Sequence, residues 1–118
     1  MIYITNSYSD NMIDWSTYPY VETKTKVIDL DWLVSWLFIT TKNEYKSIVG
    51  HADTAALYER LLGKPIPANR ESITIDPLKD SLLIGQYKGP RLKEGECTLP
   101  KGATIVWLHK VFRVEIGQ

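Results

Sequence analysis

A histidine directly after a glycine, Gly50-His51, heads the stretch Ala52-Asp53-Thr54-Ala55-Ala56-Leu57-Tyr58-Glu59-Arg60-Leu61-Leu62-Gly63. Leu57 with Leu61 and Tyr58 with Leu62 are apolar pairs four residues apart, and Gly63 suits the left-handed position that ends a helix. The spacing therefore predicts a helix over 50–63 that opens on an imidazole. Amide N–H groups in a first helical turn lack intrahelical partners and carry the positive end of the helix dipole, so an anion bound there would meet His51 at once. An imidazole titrates near neutrality and can donate a proton at working pH. An isolated histidine near a helix end is nonetheless more often structural than catalytic, and the helix alone assigns nothing.

Other polar clusters could give that histidine something to act on. Asn6-Ser7-Tyr8-Ser9-Asp10-Asn11 follows an apolar run, Asn69-Arg70 enters another, and Gln86 through Glu94 includes Arg91. Taken alone, the first cluster is an ordinary capped turn, because short polar side chains bond nearby backbone. Arginine is informative in a different way: its planar fork can donate two hydrogen bonds to a phosphodiester. Arg70 and Arg91 supply two such forks. The chain contains no phosphate-loop lysine motif, no dinucleotide-binding glycine motif and no serine in a nucleophile elbow.

Composition narrows the setting. The 118 residues are expected to form one domain, 1–118, with a single layered core. Lysine and arginine total 14 and aspartate and glutamate total 14, so nothing global attracts nucleic acid and any polyanion site must be local. One cysteine, Cys97, excludes an internal disulfide, and no Cys/His cluster has zinc spacing. No apolar run approaches the roughly 20 residues of a membrane span. A soluble protein of a reducing cytoplasm, without cofactor or metal, is expected.

The elements that must position these residues follow from periodicity. Ile2, Tyr3 and Ile4 predict a buried strand over 1–5, and Met12, Ile13 and Trp15 a short helical turn. Val21, Thr23, Thr25 and Val27 alternate with Glu22, Lys24 and Lys26, predicting a half-buried strand over 20–29. Leu30, Leu33, Trp36 and Leu37 recur at helical spacing behind a cap at Asp29 or Asp31, and the polar run 40–46 ends that helix. After the histidine helix, Pro65 and Pro67 stop it resuming, and a short alternating strand is expected over 69–75. Ser81 to Tyr87 reads as a central strand, 88–95 as a loop, and 103–116 as a long closing strand. The predicted fold class is α+β, a single mixed β-sheet of about five strands with flanking α-helices.

Several pieces match together: Thr5-Asn6-Ser7-Tyr8-Ser9 with Asn11-Met12; Gly50-His51 with Thr54, Leu57, Leu62 and Gly63; Asn69-Arg70 with Ile73; Gln86; and Arg91-Leu92 with Glu94-Gly95. In order and approximate spacing they resemble the small virus- and plasmid-borne ring nucleases that act as anti-CRISPR proteins against type III immunity. No single piece is specific, but together, in register, they are. The chain departs from the family pattern at Lys93, where many members carry an acidic residue, in the Lys88-Gly89-Pro90 loop, and after Leu99, where a helix precedes the last strand in many viral relatives.

The resemblance implies a homodimeric, metal-independent phosphodiesterase that cleaves the messenger cyclic tetra-adenylate and so suppresses type III signalling. His51 would be the general acid for the departing 5′ oxygen while a ribose 2′-hydroxyl attacks in line, and Glu94 would orient or tune it. Arg70 and Arg91 would hold phosphates; Asn6, Ser9, Asn11 and Gln86 would contact ribose, phosphate or adenine. One ligand on the two-fold axis of a dimer would meet two copies of each arginine, four charges for four phosphates. No long nucleic acid and no membrane is expected as partner, and a virus-encoded member would act in the host cytoplasm. Two alternatives remain open. One is a non-catalytic protein that binds a cyclic oligonucleotide or nucleic acid, with Tyr8 and Tyr87 stacking on bases. The other is an interaction protein using Trp32, Trp36 and Trp107.

Overall fold

The computed structural model describes residues 1–40, 44–93 and 98–114. The order along the chain is β1 (Ile2–Thr5), a 3-10 turn (Asp10–Met12), β2 (Val21–Ile28), α1 (Leu30–Thr40), β3 (Tyr45–Ser47), α2 (Ala52–Leu62), β4 (Ser81–Lys88) and β5 (Thr104–Val114). The strands form one mixed sheet in the order β2-β5-β4-β1-β3. β1 runs parallel to both β3 and β4, while β5 is antiparallel to β4 and to β2. The α+β class and the single mixed sheet of five strands are as the sequence predicts, with β4 in the centre. Among the described residues no helix is long and apolar enough to cross a membrane.

Alternation places the two faces of the sheet in different surroundings. Ile4 of β1, Leu83 of β4 and Trp107 of β5 join Leu33 and Leu37 of α1 and Tyr58 and Leu62 of α2 in the main core. On the opposite face Leu82 and Ile84 pack with Ile75, and Tyr3, Tyr8, Met12 and Phe112 lie against them. The helices take their ends from local chemistry. The Asp29 carboxylate accepts the Asp31 N–H at 2.8 Å and so caps α1. Gly63 closes α2 at φ 68°, its N–H donating to the Glu59 carbonyl.

Three expectations change. Tyr45–Ser47 is a strand, although it sits in a polar run whose three residues are too short to show a period; pairing with β1 makes it one. Conversely, the alternation over 69–75 does not mark a strand, and only a single bridge joins Ile75 to Ile13. Ile75 is buried because the segment packs on the sheet face, which produces the same in-out pattern without a ladder. The third change is β2, expected half-buried. It is an edge strand, paired on one side only by β5, on which only Ile28 is buried and Val27 is 67% exposed. The closing strand is β5, and Ile116 lies outside the described residues.

One contact joins helix α2 to the central strand. The buried Tyr58 hydroxyl donates to the Gly85 carbonyl at 2.6 Å, and the ring stands edge-on to Trp107 at 4.8 Å. A Cβ at Gly85 would land on the Tyr58 phenol and 3.0 Å from the Trp107 ring. Gly85→Ala is therefore expected to cost about 1–3 kcal/mol by overpacking, and Tyr58→Phe about 1 kcal/mol through loss of the hydrogen bond, both measurable by denaturant unfolding.

His109 of β5 stands opposite Lys26 in register, with its ring 5.2 Å from Trp36 and its Nε2 buried without a partner among the described residues. Burial first, and then the Lys26 charge, lower its pKa. The folded protein thus binds fewer protons at this site than the unfolded chain, whose histidine titrates near about 6.5. The contribution is complete above that pH and is lost as pH falls below it. His109→Gln should accordingly flatten the fall in Tm below about pH 6.5 in a pH series of thermal melts.

Candidate functional site

The carboxyl ends of the three mutually parallel strands open onto one end of the sheet, where loops converge. β1 stops at Thr5, opposite Ile84, while β4 runs on to Lys88 and so carries Tyr87 beyond the end of β1. The buried Thr5 hydroxyl donates to the Ser7 carbonyl at 2.9 Å and accepts the Ser7 N–H at 3.2 Å, which turns the chain at Asn6. β3 leads through buried Ile48 and Val49 to Gly50 and His51, with the Ile48 N–H on the Ile4 carbonyl at 2.8 Å.

His51 is the residue that precedes α2. Its backbone is extended (φ −121°, ψ 127°), its carbonyl accepts the Ala55 N–H at 2.9 Å, and its side chain makes no capping hydrogen bond. The imidazole is exposed. Its backbone is held from both sides, by Ile48 and Val49 before it and by Ala55, Leu57 and Tyr58 after it, all buried. Buried neighbours on both sides thus fix the main chain from which the exposed ring projects.

Two cavities meet at that ring. The larger, of about 460 Å³, is lined by His51, Asp53, Thr54, Tyr87, Gly89, Arg91 and Leu92. The smaller, of about 200 Å³, is lined by Thr5, Asn6, Ser7, Met12, Ile48, Gly50, His51, Arg70 and Glu71. His51 belongs to both, with Arg91 on one side and Arg70 on the other. Tyr87 is held in place by its hydroxyl, which donates to the Pro90 carbonyl at 2.5 Å at the start of the loop that carries Arg91. Each cavity also holds one carboxylate. That of Glu71 is paired with Lys46 at 2.9 Å and accepts from Asn69 at 3.1 Å, and these hydrogen bonds, Lys46 first, lower its pKa.

The structure therefore brings together His51, Asn6, Arg70 and Arg91. Ser9 and Asn11 are exposed at the 3-10 turn and line neither cavity, and Gln86 is exposed on β4 with its side chain on the sheet face opposite that of its cavity-lining neighbour Tyr87. Glu94 lies outside the described residues. Tyr8 lines neither cavity: it lies against the sheet face of Leu82 and Ile84, 5.9 Å from Phe112 and 4.9 Å from the Lys110 ammonium. Burial and its hydrogen bond to Asp10 push the Tyr8 phenol up to about 12. Glu71 and Asp53 were not legible as site residues. Glu71 adjoins Arg70 and Asp53 lies two residues after His51, but only the fold turns them into the cavities. Among the described residues no three His, Cys, Asp or Glu side chains form a group that could hold a metal ion.

The tryptophans divide differently. Trp107 is core, whereas Trp32 is 51% exposed and stacks at 5.8 Å on Trp36, which itself packs against the main core.

Comparison with known proteins places the chain in a family. No curated protein matches the chain. Among solved structures, B116 of Sulfolobus turreted icosahedral virus (STIV) is similar over 93% of this chain and 97% of that one, with a TM-score of 0.74 and 22% sequence identity. That likeness shows the same fold. The model of the family described as STIV B116-like matches residues 2–115. The chain belongs to the STIV B116-like family, named for a viral protein.

Proposed function

We propose that the protein is a ring nuclease that opens cyclic tetra-adenylate without a metal ion and so suppresses type III CRISPR signalling. The observation that carries this reading is the placement of one exposed imidazole on the lining of two cavities, each with its own arginine. In the reaction a ribose 2′-oxygen attacks the adjacent phosphorus, the bond to the 5′ oxygen breaks, and the products carry a 2′,3′-cyclic phosphate and a 5′-hydroxyl. The imidazolium of His51 gives the leaving oxygen its proton, and the attacking hydroxyl releases one to solvent. An internal nucleophile already sits beside its phosphorus, so orientation and proton donation supply the catalysis.

Arg70 and Arg91 offer charge-assisted hydrogen bonds to phosphate oxygens on either side of the histidine. The free N–H groups in the first turn of α2, where Asp53 and Thr54 line the larger cavity, add donors of the same sign. The Lys46 ion pair neutralises Glu71, which would otherwise oppose an anion in the smaller cavity. Tyr87 gives the larger cavity an aromatic wall on which a base can stack. A two-fold dimer would present both sets of arginines to one four-phosphate ring, which explains how a chain of zero net charge could hold it.

The test is incubation of purified protein with radiolabelled cyclic tetra-adenylate in EDTA. The wild-type protein should yield linear products ending in a 2′,3′-cyclic phosphate, and His51→Ala should bind the ring yet cleave it roughly a hundredfold or more slowly. A ring left intact by the wild-type protein but bound tightly would mean a messenger-binding protein instead. Arg70→Ala and Arg91→Ala should each weaken binding about 10- to 100-fold by calorimetry, at a stoichiometry of one ring per two chains.

A further inference from the structure

β3 is an edge strand, and its open side is covered by the segment 65–71 that follows α2. That segment cannot form an ordinary ladder, because Pro65 and Pro67 have no N–H to donate. Side chains of the strand donate in their place. The Tyr45 hydroxyl bonds the Pro65 carbonyl at 2.7 Å, and the Ser47 hydroxyl bonds the Pro67 carbonyl at 2.7 Å. Asn69 completes the series with its N–H on the Val49 carbonyl at 2.8 Å and its side-chain amide on the Ser47 carbonyl at 2.9 Å.

These contacts keep step. Tyr45 with Pro65 and Ser47 with Pro67 are each 20 residues apart, and Val49 with Asn69 has the same offset. The segment thus runs alongside β3 in the same direction at a constant register. Carried one residue further, that register sets Arg70 against Gly50, and a Cβ at Gly50 would lie 3.5 Å from Arg70 Nε. The next residue, Glu71, is tied to Lys46 of β3 and to the same Asn69 amide. Ser47 is 3% exposed, a buried polar group whose hydroxyl is committed to this seam.

We propose that segment 65–71 is a register strap, and that Asn69, seated on Ser47, is a positioning residue that holds Arg70 beside Gly50 and His51 for a phosphodiester. Covering the strand edge would need only some contact there. The constant offset does more, since a slip by one residue would turn Arg70 out of the cavity and put Asn69 or Glu71 in its place. The inference rests on the phosphodiester-cleaving reading and adds to it what sets the position of one arginine.

The experiment measures kcat and KM of the full-length chain on cyclic tetra-adenylate, with thermal unfolding of every variant. Asn69→Ala should lower kcat/KM about 5- to 10-fold, Arg70→Ala about 10- to 100-fold, and the double variant no more than Arg70→Ala alone, because both act through one interaction. Ser47→Ala should repeat the Asn69→Ala loss, and Ser47→Thr, which keeps the hydroxyl, should recover it. Should Asn69→Ala fail to fold, Glu71→Gln on the exposed side of the seam supplies the second arm, with a loss of about 2- to 3-fold that vanishes in the Arg70→Ala background. Losses that multiply in the double variants, or an Asn69→Ala protein with a lower Tm and unchanged kcat/KM, would overturn the strap. A wild-type protein that neither binds nor cleaves the ring would instead overturn the underlying reading, and the strap's role with it.

Discussion

The contact on which the arrangement depends is the one between α2 and the central strand, where the buried Tyr58 hydroxyl meets the Gly85 carbonyl. Glycine is needed there because any side chain would occupy the space of the phenol. With the helix fixed at its middle on β4, its first turn must lie over the carboxyl ends of the parallel strands. His51 then has no freedom of approach: the buried residues on both sides of it determine where its ring emerges.

From that constraint the polar residues acquire their meaning. Thr5 turns the chain after β1 so that Asn6 and Ser7 face the histidine, and Tyr87 anchors the loop of Arg91 through Pro90. The proline-bearing segment lays Arg70 along the edge of β3. The arginines therefore come to the two cavities that His51 lines from different parts of the chain, along independent supports. Net charge governs only the distant field, whereas the charge met at short range is set by which side chains line a cavity, so zero net charge says little about this one.

Much of this was legible in the residues. The 3.6-residue period of α1 and α2, the glycine that closes α2 and the apolar run of β4 are local signals, and each element stands where they put it. Gly50-His51 and Asn69-Arg70 were visible as polar pairs beside apolar runs. The pattern over 69–75 misled because a segment packed flat on a sheet alternates in burial just as a strand does. β3 was invisible for the opposite reason, since a three-residue strand is defined by its partner.

What the sequence by itself determined, then, was the set of elements with strong periods, the α+β class and the candidate chemistry of His51, Arg70 and Arg91. These are properties of residue type and short spacing, which need no distant contact to be read. Only the tertiary structure decided that His51 divides two cavities, that Glu71 and Asp53 enter them while Ser9 and Asn11 do not, and that Arg70 is carried by a strap rather than a strand. Each of those outcomes depends on pairing between segments about 20 or more residues apart, where register and face are settled by which buried contacts can be made at once.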